Sequence, residues 1–192
     1  MHNRRLVAYI LDLLLITVFL SICFLFVPKT KEAKKIQAEI DTLSEQYMGG
    51  KMSATRYFME MSHVEKEKSE KEVVKIGVNG AGIVIYYFLL PLFLHGSTLG
   101  MKVMHIGIVS KKGKNIVLPL FLRTLLLDGL LSTILLLLGI YTVSGKFYLS
   151  FISVLVILQL LTLIVNYFMI KCRRDKAGLC DFLSNSKVVA LS

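Results

Sequence analysis

The chain has 192 residues, is 55% hydrophobic and has a mean hydropathy of +0.65, values that exclude an ordinary soluble domain of this size. Its formal net charge of +10 would suit a nucleic-acid binder, but in so apolar a chain the matching partner is the bilayer with its anionic headgroups, and nucleic acid is set aside. Three cysteines, Cys23, Cys172 and Cys180, form neither a disulfide framework nor a metal-ligand spacing.

The apolar residues gather in four blocks, Leu6 to Val27, Ile76 to Leu94, Ile116 to Tyr141 and Phe147 to Ile170. Each is about 20 residues long, enough for a helix to cross a hydrocarbon layer of ~30 Å. The fold class read from this pattern is all-α: a four-span transmembrane helical bundle with an extramembrane two-helix hairpin between spans one and two. Its divisions are residues 1–27 (N-terminal stub and first span), 28–75 (charged insert), 76–170 (spans two to four with a basic loop at 96–115) and 171–192 (basic tail).

Arg4 and Arg5 precede the first block as in a secretory signal, yet the block is long, contains Asp12 and is followed by no small-residue cleavage pattern, so it reads as a retained span. Asp12 falls inside the span with Arg5 seven residues earlier on the same helical face and Ala8 between them. A direct or water-bridged Arg5–Asp12 pair is expected, with simple neutralisation as the bland alternative.

Pro28 closes the first span. The insert then places Ile36, Ile40, Leu43 and Tyr47 on one helical stripe, breaks at Gly49 and Gly50, and resumes with Tyr57, Phe58, Met61 and Val64 on another. Two narrow stripes joined by a Gly-Gly turn describe an antiparallel hairpin standing off the membrane, either a docking arm for another protein or a solvated spacer.

In the second span Asn79 lies among Gly77, Gly80 and Gly82. The third carries Arg123 and Asp128, five positions apart and so about 140° apart around a helix, each needing a partner from elsewhere. Thr124, Asp128 and Ser132 form a polar stripe on it, and Gln159, Thr162 and Asn166 form another on the fourth span. These stripes fit either an interhelical hydrogen-bond network or a hydrated path. His95 and His105 have no second ligand pair, and no metal, nucleotide loop, nucleophile triad or cofactor motif is expected.

With four spans, both termini and the second loop share one side, and each side carries eleven Lys and Arg. The lysines of the second loop, unaccompanied by acids, tilt the reading toward cytoplasmic termini.

Four stretches resemble the RDD family of bacterial membrane proteins. The opening Arg5-Leu-Val-Ala8-Tyr-Ile-Leu-Asp12 is similar to the arginine, small residue and aspartate at the start of that family's first span. Gly96-Ser-Thr98-Leu-Gly100-Met-Lys102 is similar to its Gly-x-Thr-x-Gly-Lys stretch, Arg123 to the arginine opening its next span, and Leu179-Cys180-Asp181 to its Leu-x-Asp closing motif. Met101 departs from the family's basic residue, Ser184 to Ser186 lacks its Gly-Thr, and residues 28 to 75 are extra. The resemblance implies a plasma-membrane protein, with transport proposed for relatives and cation/proton exchange assigned to some.

Two functions follow as expectations: a non-enzymatic component that docks a protein partner or a second copy, or a transporter using Asp12, Asp128 and Arg123. An intramembrane protease comes last, because neither aspartate sits in a protease motif.

Overall fold

The computed structural model of the chain describes residues 2–27, 31–110, 115–174 and 176–191. Pro28 and the lysines at 111, 112 and 114 of the second loop lie outside the described residues. Helix α1 (His2–Leu25) begins at once, so residues 2–5 are the first turn of the span rather than a stub. At ~1.5 Å per residue it is about 36 Å long, enough to cross a bilayer. Leu14 and Val18 are 61% and 60% exposed on its outer side, whereas Ala8, Asp12 and Ile16, four residues apart, form the buried line.

Helices α2 (Lys31–Met48) and α3 (Ala54–Lys71) pack on each other, with Ile36, Leu43 and Val64 buried between them and Tyr47 stacked on Tyr57 at 4.5 Å. The reversal uses Gly50 at φ +68° and Ser53, whose Oγ accepts the Arg56 amide and caps α3. The arm does not stand clear of the remainder. Ser62 Oγ, fully buried, donates to the Gly145 carbonyl and accepts the Leu149 amide at 3.0 Å, fastening α3 to the turn that joins spans three and four.

Helix α3 runs almost directly into the second apolar helix. This is α4 (Val73–Ile83), a π-helical turn at Val84–Leu89 and α5 (Leu90–Phe93). The π turn, in which the Leu90 amide donates back to Ile85, inserts an extra residue and buries neighbouring Tyr86 and Tyr87 together.

The third apolar run is two helices, α7 (Val117–Leu126) and α8 (Leu130–Thr142), bent by 54°. Gly129 at φ +89° makes the corner. The break frees backbone carbonyls within an apolar layer, where each needs a partner. Gln159 on α9 (Tyr148–Cys172) supplies it, donating Nε2 to the Leu127 carbonyl at 2.9 Å and accepting Ser132 Oγ at 3.0 Å. Among the described residues, three helical segments are long and apolar enough to cross a membrane, four if the bent pair counts as one.

The chain is mostly helical, as the all-α expectation has it, and adds two short strands. After span two come α6 (Leu99–Val103) and β1 (Ile106–Ser110); after α9 come α10 (Leu179–Leu183) and β2 (Ser186–Ala190). The strands pair antiparallel with Ile108 opposite Val188 at the centre. They cover a core of Ala8, Met101, Ile106, Ile108, Leu120 and Val188. The described part of the supposed loop, residues 96–110, is therefore folded and, from Gly96 to Thr98, buried.

The two helix–strand segments repeat each other eighty residues apart, Leu99 matching Leu179 and Ile106 matching Ser186. Gly96 and Lys176 both have positive φ, Thr98 and Gly178 are both extended N-caps, and His105 and Asn185 turn into the strands at φ 52° and 53°. The central pair, Ile108 and Val188, obeys the same offset. An approximate twofold axis thus passes between them, relating α6–β1, which closes the half of the chain with α1, α4 and α5, to α10–β2, which closes the half with α7, α8 and α9.

Candidate functional site

Asp12 and Arg5, expected to pair with each other, are held by separate partners. The Asp12 carboxylate is 2% exposed and accepts three hydrogen bonds: from Tyr86 Oη at 2.7 Å, from Thr98 Oγ1 and from the Gly100 amide at 2.8 Å. Thr98 Oγ1 accepts the Met101 amide in turn, so span one, span two and α6 meet at one carboxylate. The close fit explains the small residues. A Cβ on Gly100 would stand 2.4 Å from the Ala8 carbonyl oxygen and 2.8 Å from Asp12 Oδ1. Met101, where the family has a basic residue, is 3% exposed and packs in the core beneath the strands.

Arg5 reaches into the other half. Its Nη1 pairs with Asp181 Oδ2 at 3.3 Å and donates to the Lys176 carbonyl at 2.9 Å. Asp181 also accepts the Gly178 amide and Ser186 Oγ, which ties α10 to the start of β2. One aspartate anchors each short helix, Asp12 from span one and Asp181 from within α10 itself.

Between α1, α7, α9 and α10 lies a cavity of about 170 Å³ lined by Arg5, Tyr9, Arg123, Asn166, Tyr167, Cys180 and Asp181, with Leu6, Leu127, Leu163 and Ile170 as apolar wall. Arg5 and Arg123 are near enough to repel one another. Among the described residues the Arg123 guanidinium makes no hydrogen bond or ion pair, although a partner was expected from another helix. Burial pushes the Cys180 thiol up to about 12, against a smaller downward pull from Arg123.

Asp128 sits at the corner of span three, its Oδ2 closed off from solvent with no hydrogen-bond donor among the described residues. The bend breaks the expected stripe of Thr124, Asp128 and Ser132. Thr124 is fully buried and returns its hydroxyl to the Leu120 carbonyl, whereas Ser132 meets Gln159. Thr162 donates to the Leu158 carbonyl of its own helix, and Asn166 Oδ1 accepts the Leu179 amide. Asn79 remains half-buried, apart from the cavity.

The RDD family's sequence model matches residues 2–185, across the insert and nearly the whole chain. The chain belongs to the RDD family. Searches of curated proteins and of solved structures returned no match. Together with its apolar helices, RDD membership makes this a membrane protein.

Sequence reasoning on this RDD protein singled out Arg5, Asp12, Arg123, Asp128 and Asp181, of which Arg5, Arg123 and Asp181 line the cavity, and passed over Tyr9, Tyr86, Tyr167 and the linking role of Gly100. The signal for Tyr86 was available: a tyrosine hydroxyl in an apolar span needs an acceptor, and Asp12 needs donors.

Proposed function

We propose that this RDD protein is a non-enzymatic accessory or docking component of a bacterial plasma-membrane complex. It has four spans, both termini on the cytoplasmic side, and α2–α3 as a hairpin outside the opposite leaflet. The observation carrying this reading is the Ser62 bridge to Gly145 and Leu149. An arm fastened at one fixed angle presents a defined surface, which a solvated spacer does not require. Photo-crosslinkers placed at the exposed residues Lys51 and Met59 in native membranes should trap one discrete partner, lost when Ser62→Leu unseats the arm. A diffuse or absent adduct sinks the docking reading. Protease clipping at Gly49–Gly50 in intact cells tests the orientation.

A second reading, cation or proton exchange, draws support from Asp128. A broken span with a shielded carboxylate at its corner is the arrangement that ion-coupled transporters place near the bilayer midplane. Asp12 suits the role poorly, since its oxygens are already engaged by three donors. Ion flux in vesicles should vanish in Asp128→Asn and persist, per folded molecule, in Asp12→Asn; equal flux in wild type and Asp128→Asn discards the exchanger.

A further inference from the structure

We propose that the cavity between α1, α7 and α9 binds the phosphate group of an anionic phospholipid. The inference is independent of both functional readings above. It starts from the twofold relation between α6–β1 and α10–β2, whose offset of eighty residues is carried back along the preceding helices. In the first half the Asp12 carboxylate lies between Tyr86 of span two and Gly100 of the short helix. Eighty residues on, the counterparts are Asn166 and Cys180, and both line the cavity.

What differs is the span that faces them. The Ala8 carbonyl marks the approach of α1 to Gly100, and the Leu122 carbonyl, which accepts Cys180 Sγ at 3.6 Å, marks the approach of α7 to α10. Four residues beyond Ala8 stands Asp12; four beyond Leu122 stands Leu126, followed by the cavity-lining Leu127. Span three therefore brings no acid where span one does. It brings Arg123, whose guanidinium has no hydrogen-bond or ion-pair partner among the described residues.

The charge balance points the same way. Among the described residues, two guanidinium groups line the cavity against one carboxylate, Asp181, which is already paired with Arg5. Asp128 acts on Arg123 from the span corner but does not line the cavity. The group that fits is an oxyanion, which a planar guanidinium grips through two parallel hydrogen bonds. The source is a lipid because of the walls: Leu6 and Tyr167 are 47% and 41% exposed at the mouth, on helices whose outer faces are apolar. A volume of about 170 Å³ admits a phosphate with its glycerol while the acyl chains stay alongside α1 and α9.

The test uses the full chain in neutral detergent, read by native mass spectrometry. Wild type should retain one dioleoylphosphatidylglycerol per chain at least tenfold more tightly than dioleoylphosphatidylcholine. Arg123→Gln should lose at least tenfold of that affinity. Leu127→Asp, which supplies an internal carboxylate one helical turn from Arg123, should abolish lipid retention while keeping or raising the thermal midpoint; it decides the matter should Arg123→Gln fail to fold. Equal retention of the two lipids, or unchanged retention in both variants, overturns the proposal. So does displacement of the lipid by millimolar inorganic phosphate, which would assign the site to a free anion.

Discussion

Arg5 and Asp181 lie 176 residues apart in the chain and 3.3 Å apart in the fold. Their side chains are 13% and 8% exposed, so the pair is largely shielded from water and joins the first turn of α1 to the short helix α10. Losing one member leaves the other as an uncompensated charge, a loss of about 3–5 kcal/mol for a buried pair. Arg5→Met and Asp181→Leu should each lower the thermal midpoint sharply, and the double variant should be less damaged than their sum. A double-mutant cycle checks this, and additive losses would show that the two do not communicate.

Asp12 is held by three donors, so its removal acts on the fold. Tyr86→Phe deletes one hydrogen bond and should cost about 1–2 kcal/mol; Asp12→Leu strands the Gly100 amide and the Thr98 hydroxyl and should cost more than Tyr86→Phe. Denaturation in detergent by each variant, followed by circular dichroism, ranks them.

Gly100 and Gly77 offer a matched contrast. A methyl at Gly100 meets the Ala8 carbonyl oxygen at 2.4 Å, an atom fixed in the middle of α1, whereas nothing lies within 4 Å of one at Gly77. Gly100→Ala should therefore destabilise by about 1–3 kcal/mol or more, while Gly77→Ala should be neutral or gain up to about 1 kcal/mol from helix propensity. Thermal midpoints of the two variants settle the comparison.

Cysteine labelling reports on α10 directly. With its pKa pushed up to about 12 by burial, the Cys180 thiol is overwhelmingly protonated at pH 8 and remains so at pH 9, and only the thiolate reacts. Cys172 is exposed. In a Cys23→Ala background, maleimide should modify Cys172 promptly and Cys180 only after denaturation, as read by peptide mass mapping. Prompt labelling of Cys180 at pH 8 would mean that α10 is undocked.

The spans were legible because about 20 consecutive apolar residues have few other destinations, and the stripes of Ile36, Leu43 and Val64 survived as a packed pair of helices. The strands were not. Ile106 to Ser110 and Ser186 to Ala190 are five residues each, too short to carry a period, and each finds its partner eighty residues away. The repeat was hidden for a related reason: Thr98 and Gly178 share a backbone conformation but no side-chain chemistry. Asp128-Gly129 was readable as a turn signal inside an apolar run, yet the run's length argued for one continuous helix. Arg5 and Asp12 were found as a motif but paired wrongly, since helical spacing gives a face and says nothing of what packs on it.

The pairing of β1 with β2 also sets an order of events during synthesis. Every span precedes β2 in the chain, so the membrane receives all of its helices while β1 still has an open edge and Arg5 still awaits Asp181. The halves already meet through Ser62 and the turn at Gly145, and the emergence of the last strand adds the clasp at their other end. A ribosome that stalls before Asp181 would release a fully inserted but unlatched chain, with its strand edge open to pairing with other chains.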